Sequence, residues 1–328
     1  MPAPGFQLAD LAGTLGPGST DRLGRVLFEG TIAAGNSITL LNLNFDLTNS
    51  ATMNASTGFI FLTAFPYRVY NNVSDTGLLT WNNTTKVLTA VGAPRSIIVI
   101  SFRNTDPPIG GVGMVINNSA GDTIIDNVHP NLELVSSGSL TSSGISDVKT
   151  MPVEASIGGS FTMLRWPMGQ ALVRGGGRQV ALDLGGTIDY RIYRINPIYS
   201  CIAGGPPGLC LTRGSDGLVL FDSKRTYGRL KTLIQFENYS FDFEGGSGGN
   251  SYWSHNAIPT TSFFRVDTHY ASGTRVLAIA RVTTTQWTSF IFDRVAYGLS
   301  GAWQTSLGLV SVGTYPGGIL PVTLVADA

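Results

Sequence analysis

The sequence predicts an all-β protein: two β-sandwich-like domains with internally repeated hairpin cassettes and little helix. Three observations predict it. Composition is the first. The 328 residues include 41 glycines, and only 13% are charged, about half the usual share for a globular domain. Patterning is the second. Apolar residues come in short runs, several alternating with period two, and Gly, Pro and Asn clusters separate the runs, which is how strands and their turns read. Repetition is the third, and it organises the chain.

The clearest repeat runs from Gly208 to Ser223. Leu209 to Thr212 form one arm, Gly214 to Gly217 the turn, and Leu218 to Phe221 the second arm, closed by Asp222 and Ser223. Asp-Gly between apolar arms favours a hairpin because the turn needs positive φ, which Gly and Asp tolerate. Gly113 to Asp126 is a second copy, offset by one residue of slack. Gly113 falls on Gly208, Ile124-Ile125 on Leu220-Phe221, and Asp126 on Asp222. A weaker copy begins at Gly5 and continues into Asp21 to Val26, which parallels Arg225 to Leu230. Asp126 and Asp222 are read as caps on turn N–H groups.

In chain order, Ser37 to Leu47 alternates in part, and Phe59 to Phe65 is a continuous apolar run expected to be a buried central strand. Leu78 to Val91 reads as a hairpin around an Asn/Thr turn. Ser96 to Arg103 is the strongest strand signal. Ser136 to Gly144 is Ser/Gly-rich and reads as a linker. The expected division is therefore residues 1–136 as one domain, 137–147 as the linker and 148–328 as the second domain. In the second, Ser160 to Trp166, Ala171 to Arg174, Gln179 to Leu184 and Thr187 to Ile195 are expected strands. Further strands are expected near Phe263 to Val266, Arg275 to Thr283, Trp287 to Arg294 and Leu320 to Val325. No amphipathic helix is evident; Ser223 to Phe236 offers at most a turn or two, against Thr226 and Gly228.

Charge and targeting narrow the function classes. Twenty-one basic side chains balance 21 acidic ones, so nucleic acid, which needs clustered Lys and Arg, is not an expected partner. Lys224, Arg225, Arg229 and Lys231 are the one basic cluster, read as a solvated face or a subunit contact. The start has no signal-peptide pattern and no apolar run reaches membrane-span length, so synthesis in the cytosol is expected. A nearly neutral chain with few charges suits a protein that associates.

Cys201 and Cys210 flank a Gly/Pro loop. A disulfide between them would staple the loop leading into the hairpin. A reducing compartment favours two free thiols instead. No His or further Cys at ligand spacing accompanies them, so no metal site is expected, and no cofactor. His129, His255 and His269 sit apart in sequence. No nucleophile elbow or phosphate loop occurs. Asp242, Glu244, Asp267 and Asp293 are carboxylates from which a glycosidase pair would have to be drawn, and alternation places Asp242 and Glu244 on an exposed strand face. An enzyme is not expected. The candidate surface-binding residues are Tyr252, Trp253, His255 and Trp303, which could stack on a sugar or anchor a protein partner; otherwise Trp253 staples a loop and Trp287 is core.

The segment from Gly208 to Arg225, with its Asp-Gly-Leu-Val-Leu-Phe-Asp-Ser run, resembles one found in virion proteins of tailed bacteriophages, in the tail tip, baseplate and fibre region. The other two copies depart from it: Asp126-Asn127 replaces Asp-Ser, and the first copy lacks the Asp. The resemblance implies β-sandwich modules, a virion location, other tail proteins as partners, and homo-oligomeric assembly with a trimer favoured. It implies no catalytic residues. The expected function is thus a structural tail component acting by subunit assembly and host-surface attachment. The alternatives are an adhesin that binds a bacterial surface glycan or protein receptor, and a capsid decoration protein.

Overall fold

The computed structural model describes residues 24–39, 58–64, most of 79–101 and of 115–228, 233–242, and parts of 252–327. The fold is all-β, as the composition and patterning predict. Among the described residues the only helical positions are 302–303 and a single 3-10 position at Val153. In chain order the strands are β1 (Arg25–Ile32), β2 (Ser37–Thr39), β3 (Gly58–Ala64), β4 (Leu79–Asn82), β5 (Val87–Ala90), β6 (Arg95–Ser101), β7 (Ile116–Asn117), β8 (Thr123–Ile125) and β9 (Glu133–Ser142). They continue with β10 (Lys149–Thr150), β11 (Ser160–Arg165), β12 (Ala171–Arg174), β13 (Gln179–Leu182), β14 (Gly186–Arg194), β15 (Cys210–Thr212), β16 (Val219–Asp222), β17 (Leu233–Asp242) and β18 (Tyr252–Ser254). The last are β19 (Phe263–Val266), β20 (Tyr270–Ser272), β21 (Arg275–Arg281), β22 (Gln286–Asp293), β23 (Val310–Ser311) and β24 (Ile319–Asp327).

The earlier strands form two three-stranded sheets, β1-β6-β3 and β2-β5-β4. The Ile-rich β6 is the central strand of the first, and β3 flanks it. The hairpin expected over 78–91 is β4–β5. Its turn is closed by Asn82, whose side-chain oxygen accepts the N–H groups of Thr84 and Thr85 at 2.9 and 3.0 Å.

Two larger sheets follow. One runs β17-β24-β19-β11-β14-β9; the other runs β10-β13-β12-β21-β20-β23, with β22 joining β21 to β18. Pairing is antiparallel except between β20 and β23. Ala171, Val173, Ala181, Val276, Ala278 and Ala280 build one core against the second of these sheets. The β-branched valines suit this role because they pack well on a pleated, half-buried surface.

The expected linker is corrected here. Residues 137–142 belong to β9, which pairs with β14 from Glu133↔Arg194 to Ser142↔Gly186. The chain then turns through Asp147, whose carboxylate accepts the N–H and hydroxyl of Ser143 at 2.8 and 3.0 Å, and enters β10. The Ser- and Gly-rich composition reflects a strand whose residues Ser137, Ser139 and Thr141 face solvent. Ser139 donates to Asp189 on the neighbouring strand. Of the stretch from Ser223 to Phe236, Ser223 and Lys224 form a turn, Tyr227 bridges to Glu133 and Leu233 onward is strand, so its described residues hold no helix.

Candidate functional site

Among the described residues, a constellation of charged and polar side chains lies where the two described cassettes meet. Both are hairpins with the same register. In the Gly208–Ser223 hairpin, the third in chain order, Leu211 faces Phe221 and Thr212 faces Val219, with a bulge between. In the middle one, Ile116 faces Ile125 and Asn117 faces Thr123, again with a bulge between. Gly217 adopts φ +77° in the Arg213–Leu218 turn, as the Asp-Gly signal requires. The first copy, near residues 5–13, lies outside the described residues.

The hairpins pack on one another. Ile125 and Phe221 form one buried cluster, covered by Ile116, Leu209, Leu211 and Tyr227. Tyr227 stacks on Phe221 with ring centroids 5.1 Å apart. Arg213, in the third turn, donates to the carbonyl of Val128 just after the middle hairpin, at 3.2 Å.

The closing aspartates play matching roles. Asp126 Oδ1 accepts the N–H of Val128 at 2.8 Å and of His129 at 2.6 Å, and its Oδ2 lies 3.0 Å from His129 Nδ1. Asp222 Oδ1 accepts the N–H of Lys224 at 2.9 Å, and Arg225 Nε lies 3.6 Å from its Oδ2. Each carboxylate thus caps the residue two positions on and faces a basic side chain three positions on. Asp222 also accepts the N–H of Ile202 at 2.8 Å, and its own N–H donates to the Tyr227 hydroxyl at 2.7 Å. Burial pushes the Tyr227 phenol above the usual tyrosine range, with the bond from Asp222 opposing the shift.

The segments after the hairpins then knit together. Leu132 donates to Gly24 and accepts from Gly228, Leu134 donates to Thr226, Val26 donates to Pro130, and Asn131 donates to Leu220. Gly24 and Val26 fall in the stretch that parallels Arg225 to Leu230 in the repeat. Glu133 sits at the junction with Arg225 Nη1 at 3.1 Å and Arg194 Nη1 at 3.5 Å. The expected basic cluster is therefore partly spent internally. Arg225 holds Glu133 and the Ser200 carbonyl, and Lys224 Nζ holds the Ile202 carbonyl at 3.2 Å. Arg229 and Lys231 lie outside the described residues.

Cys201 and Cys210 are joined in a disulfide, with Cα atoms 6.2 Å apart. This corrects the expectation of free thiols. Loop 197–208 is pinned to the hairpin by Asp222, Lys224 and Arg225, which brings the sulfurs together.

Trp303 is also corrected. It is 7% exposed, sits in the core with Val173 and Val276, and donates its indole N–H to the Ile145 carbonyl at 2.9 Å. A ring so placed offers no stacking face. Tyr252 and Trp253 lie on β18, opposite Thr288 and Trp287 of β22. His255, Glu244, Asp267 and His269 lie outside the described residues.

No protein-family model, curated protein or solved structure matches the chain.

Proposed function

We propose that this chain is a structural subunit of a bacteriophage tail, in the tip, baseplate or fibre, and that it works by association with copies of itself and with other tail proteins rather than by catalysis. The observation that carries the reading is the pairing of the two cassettes. Their aspartates, Tyr227, Glu133 and Arg225 are consumed in holding backbone and loops. A repeated module so cross-braced suits a mechanical part. The low charge content and zero formal net charge support the same reading, since they leave little repulsion between copies.

Light scattering on the purified full-length chain tests it. A trimer or larger closed ring is the expected outcome; a monodisperse monomer at high concentration overturns it. The adhesin alternative now rests on Tyr252 and Trp253, on β18, because Trp303 is core. Glycan-array binding that is lost in Trp253→Ala would favour it.

A further inference from the structure

One corner of the third cassette holds a donor set that the sequence alone does not assemble. The hairpin register places Cys210 opposite Asp222. Cys201 reaches the same corner from the Gly/Pro loop. One ligand atom from each of Cys201, Cys210 and Asp222 lies within 4.8 Å of the other two. Cys201 is exposed, Cys210 half-buried and Asp222 1% exposed, so the group lies at the surface with a buried carboxylate as its floor.

We propose that, when the two cysteines are reduced, this corner is a binding site for a divalent cation of the zinc class. The ligands are the two thiolates and the Asp222 carboxylate, with the fourth position open to water. Thiolate and carboxylate are both normal zinc ligands, and three protein ligands with one open position is an established tetrahedral arrangement. Three features of the chain favour it. The Asp222 carboxylate is oriented from outside by the N–H groups of Ile202 and Lys224, the kind of outer support that ligating groups need. Three ligand charges exceed the two on the cation; the Arg225 guanidinium, with Nε 3.6 Å from Asp222, offsets the excess, since the Glu133 it also holds is shared with Arg194. The loop is also held without the disulfide. Arg225 donates to the Ser200 carbonyl at 3.0 Å, and Ser223 Oγ accepts the Leu209 N–H at 2.8 Å, so both thiols stay near Asp222 after reduction.

The middle cassette provides an internal contrast. Val115 occupies the position of Cys210 there, and Asp126 turns its second oxygen to His129. The donor set belongs to the third copy alone among the described residues.

Metal and disulfide are alternative states of one sulfur pair. On oxidation the two thiolates lose two electrons and form the S–S bond. A small-molecule disulfide accepts the electrons and leaves as two thiolates, and the cation departs hydrated. The loop is pinned in both states, by metal in a reducing cell and by sulfur outside it. This inference does not depend on the tail assignment.

Cobalt(II) titration of the full chain, reduced anaerobically with a phosphine, tests it. The expected result is a thiolate-to-cobalt charge-transfer band that saturates at equimolar cobalt and is bleached by zinc. The band should be absent from the oxidised chain and from Cys201→Ser, whose exposed side chain makes misfolding an unsuitable explanation, and weaker in Asp222→Asn. Circular dichroism confirms that each variant is folded. Absence of the band in the folded, reduced protein overturns the proposal. So does a band of equal strength in Cys201→Ser, or undiminished cobalt affinity in a folded Asp222→Asn.

Discussion

Ile125 and Phe221, the last apolar residues of two hairpins far apart in sequence, share one buried cluster. The repeat is therefore a contact as well as a resemblance: each copy supplies half of the core that stabilises the other. A lone two-stranded hairpin is marginal in water. Two packed on one another, with Tyr227 against the shared cluster, escape that limit.

The matching caps should have matching energies. Asp126→Ala strands the N–H groups of Val128 and His129, and Asp222→Ala those of Ile202 and Lys224. Each orphaned, partly buried donor costs about 1–3 kcal/mol. Both variants should lose at least about 2 kcal/mol in a denaturant titration at neutral pH. A loss confined to one of them would show that the two caps are not equivalent.

Gly228 should tolerate no side chain. A Cβ there would fall on the ring of Tyr193, itself 1% exposed. Gly228→Ala should destabilise by about 1–3 kcal/mol, as forced overpacking does. Gly214→Ala is the control, since a Cβ at 214 meets nothing within 4 Å. Thermal melts of the two should separate clearly.

Tyr227→Phe removes the acceptor for the Asp222 N–H and should cost about 1–3 kcal/mol at pH 7. It should also change the alkaline limb. Because the folded-state pKa is raised above the ordinary 10.0, the unfolded chain ionises first. The stability is complete below pH 10 and falls as pH climbs beyond it. The Phe variant should lack this tyrosine's share of the decline, measured as melting temperature against pH.

Asp216 governs a window at the other end. Its hydrogen-bonded pair with Arg213, through Nε at 2.9 Å and through Nη2, lowers its carboxyl from 3.8 to about 2. Its stabilising effect is present above pH 3.8 and is lost as pH falls toward about 2. Carboxyl chemical shifts recorded against pH should give the low value in the wild type and a near-ordinary one in Arg213→Ala.

What the sequence revealed and what it concealed divide along a physical line. The Gly208–Ser223 hairpin was legible because its turn chemistry and both arms are local. The 78–91 hairpin was legible for the same reason. β9 was not, because Ser136 to Ser139 gain strand geometry only from β14, some fifty residues later. Trp303 was not, because its burial and indole bond depend on Ile145, 158 positions away. The caps on Asp126 and Asp222 could be read from their places after the hairpin arms. The donor set at Cys201, Cys210 and Asp222 could not, since it needs the hairpin register and the folded loop together.

The six-stranded sheet has a further consequence, for the order in which the protein is made. β24 lies between β17 and β19, pairing with both. Both of those strands leave the ribosome well before it does. Until residues 319–327 emerge, β17 has no partner in that sheet and β19 has only β11. A nascent chain therefore carries open strand edges, which invite pairing with neighbouring chains. A nonsense codon ahead of residue 319 would divide one sheet into two adhesive fragments. Soluble yield should therefore depend on how promptly translation reaches β24.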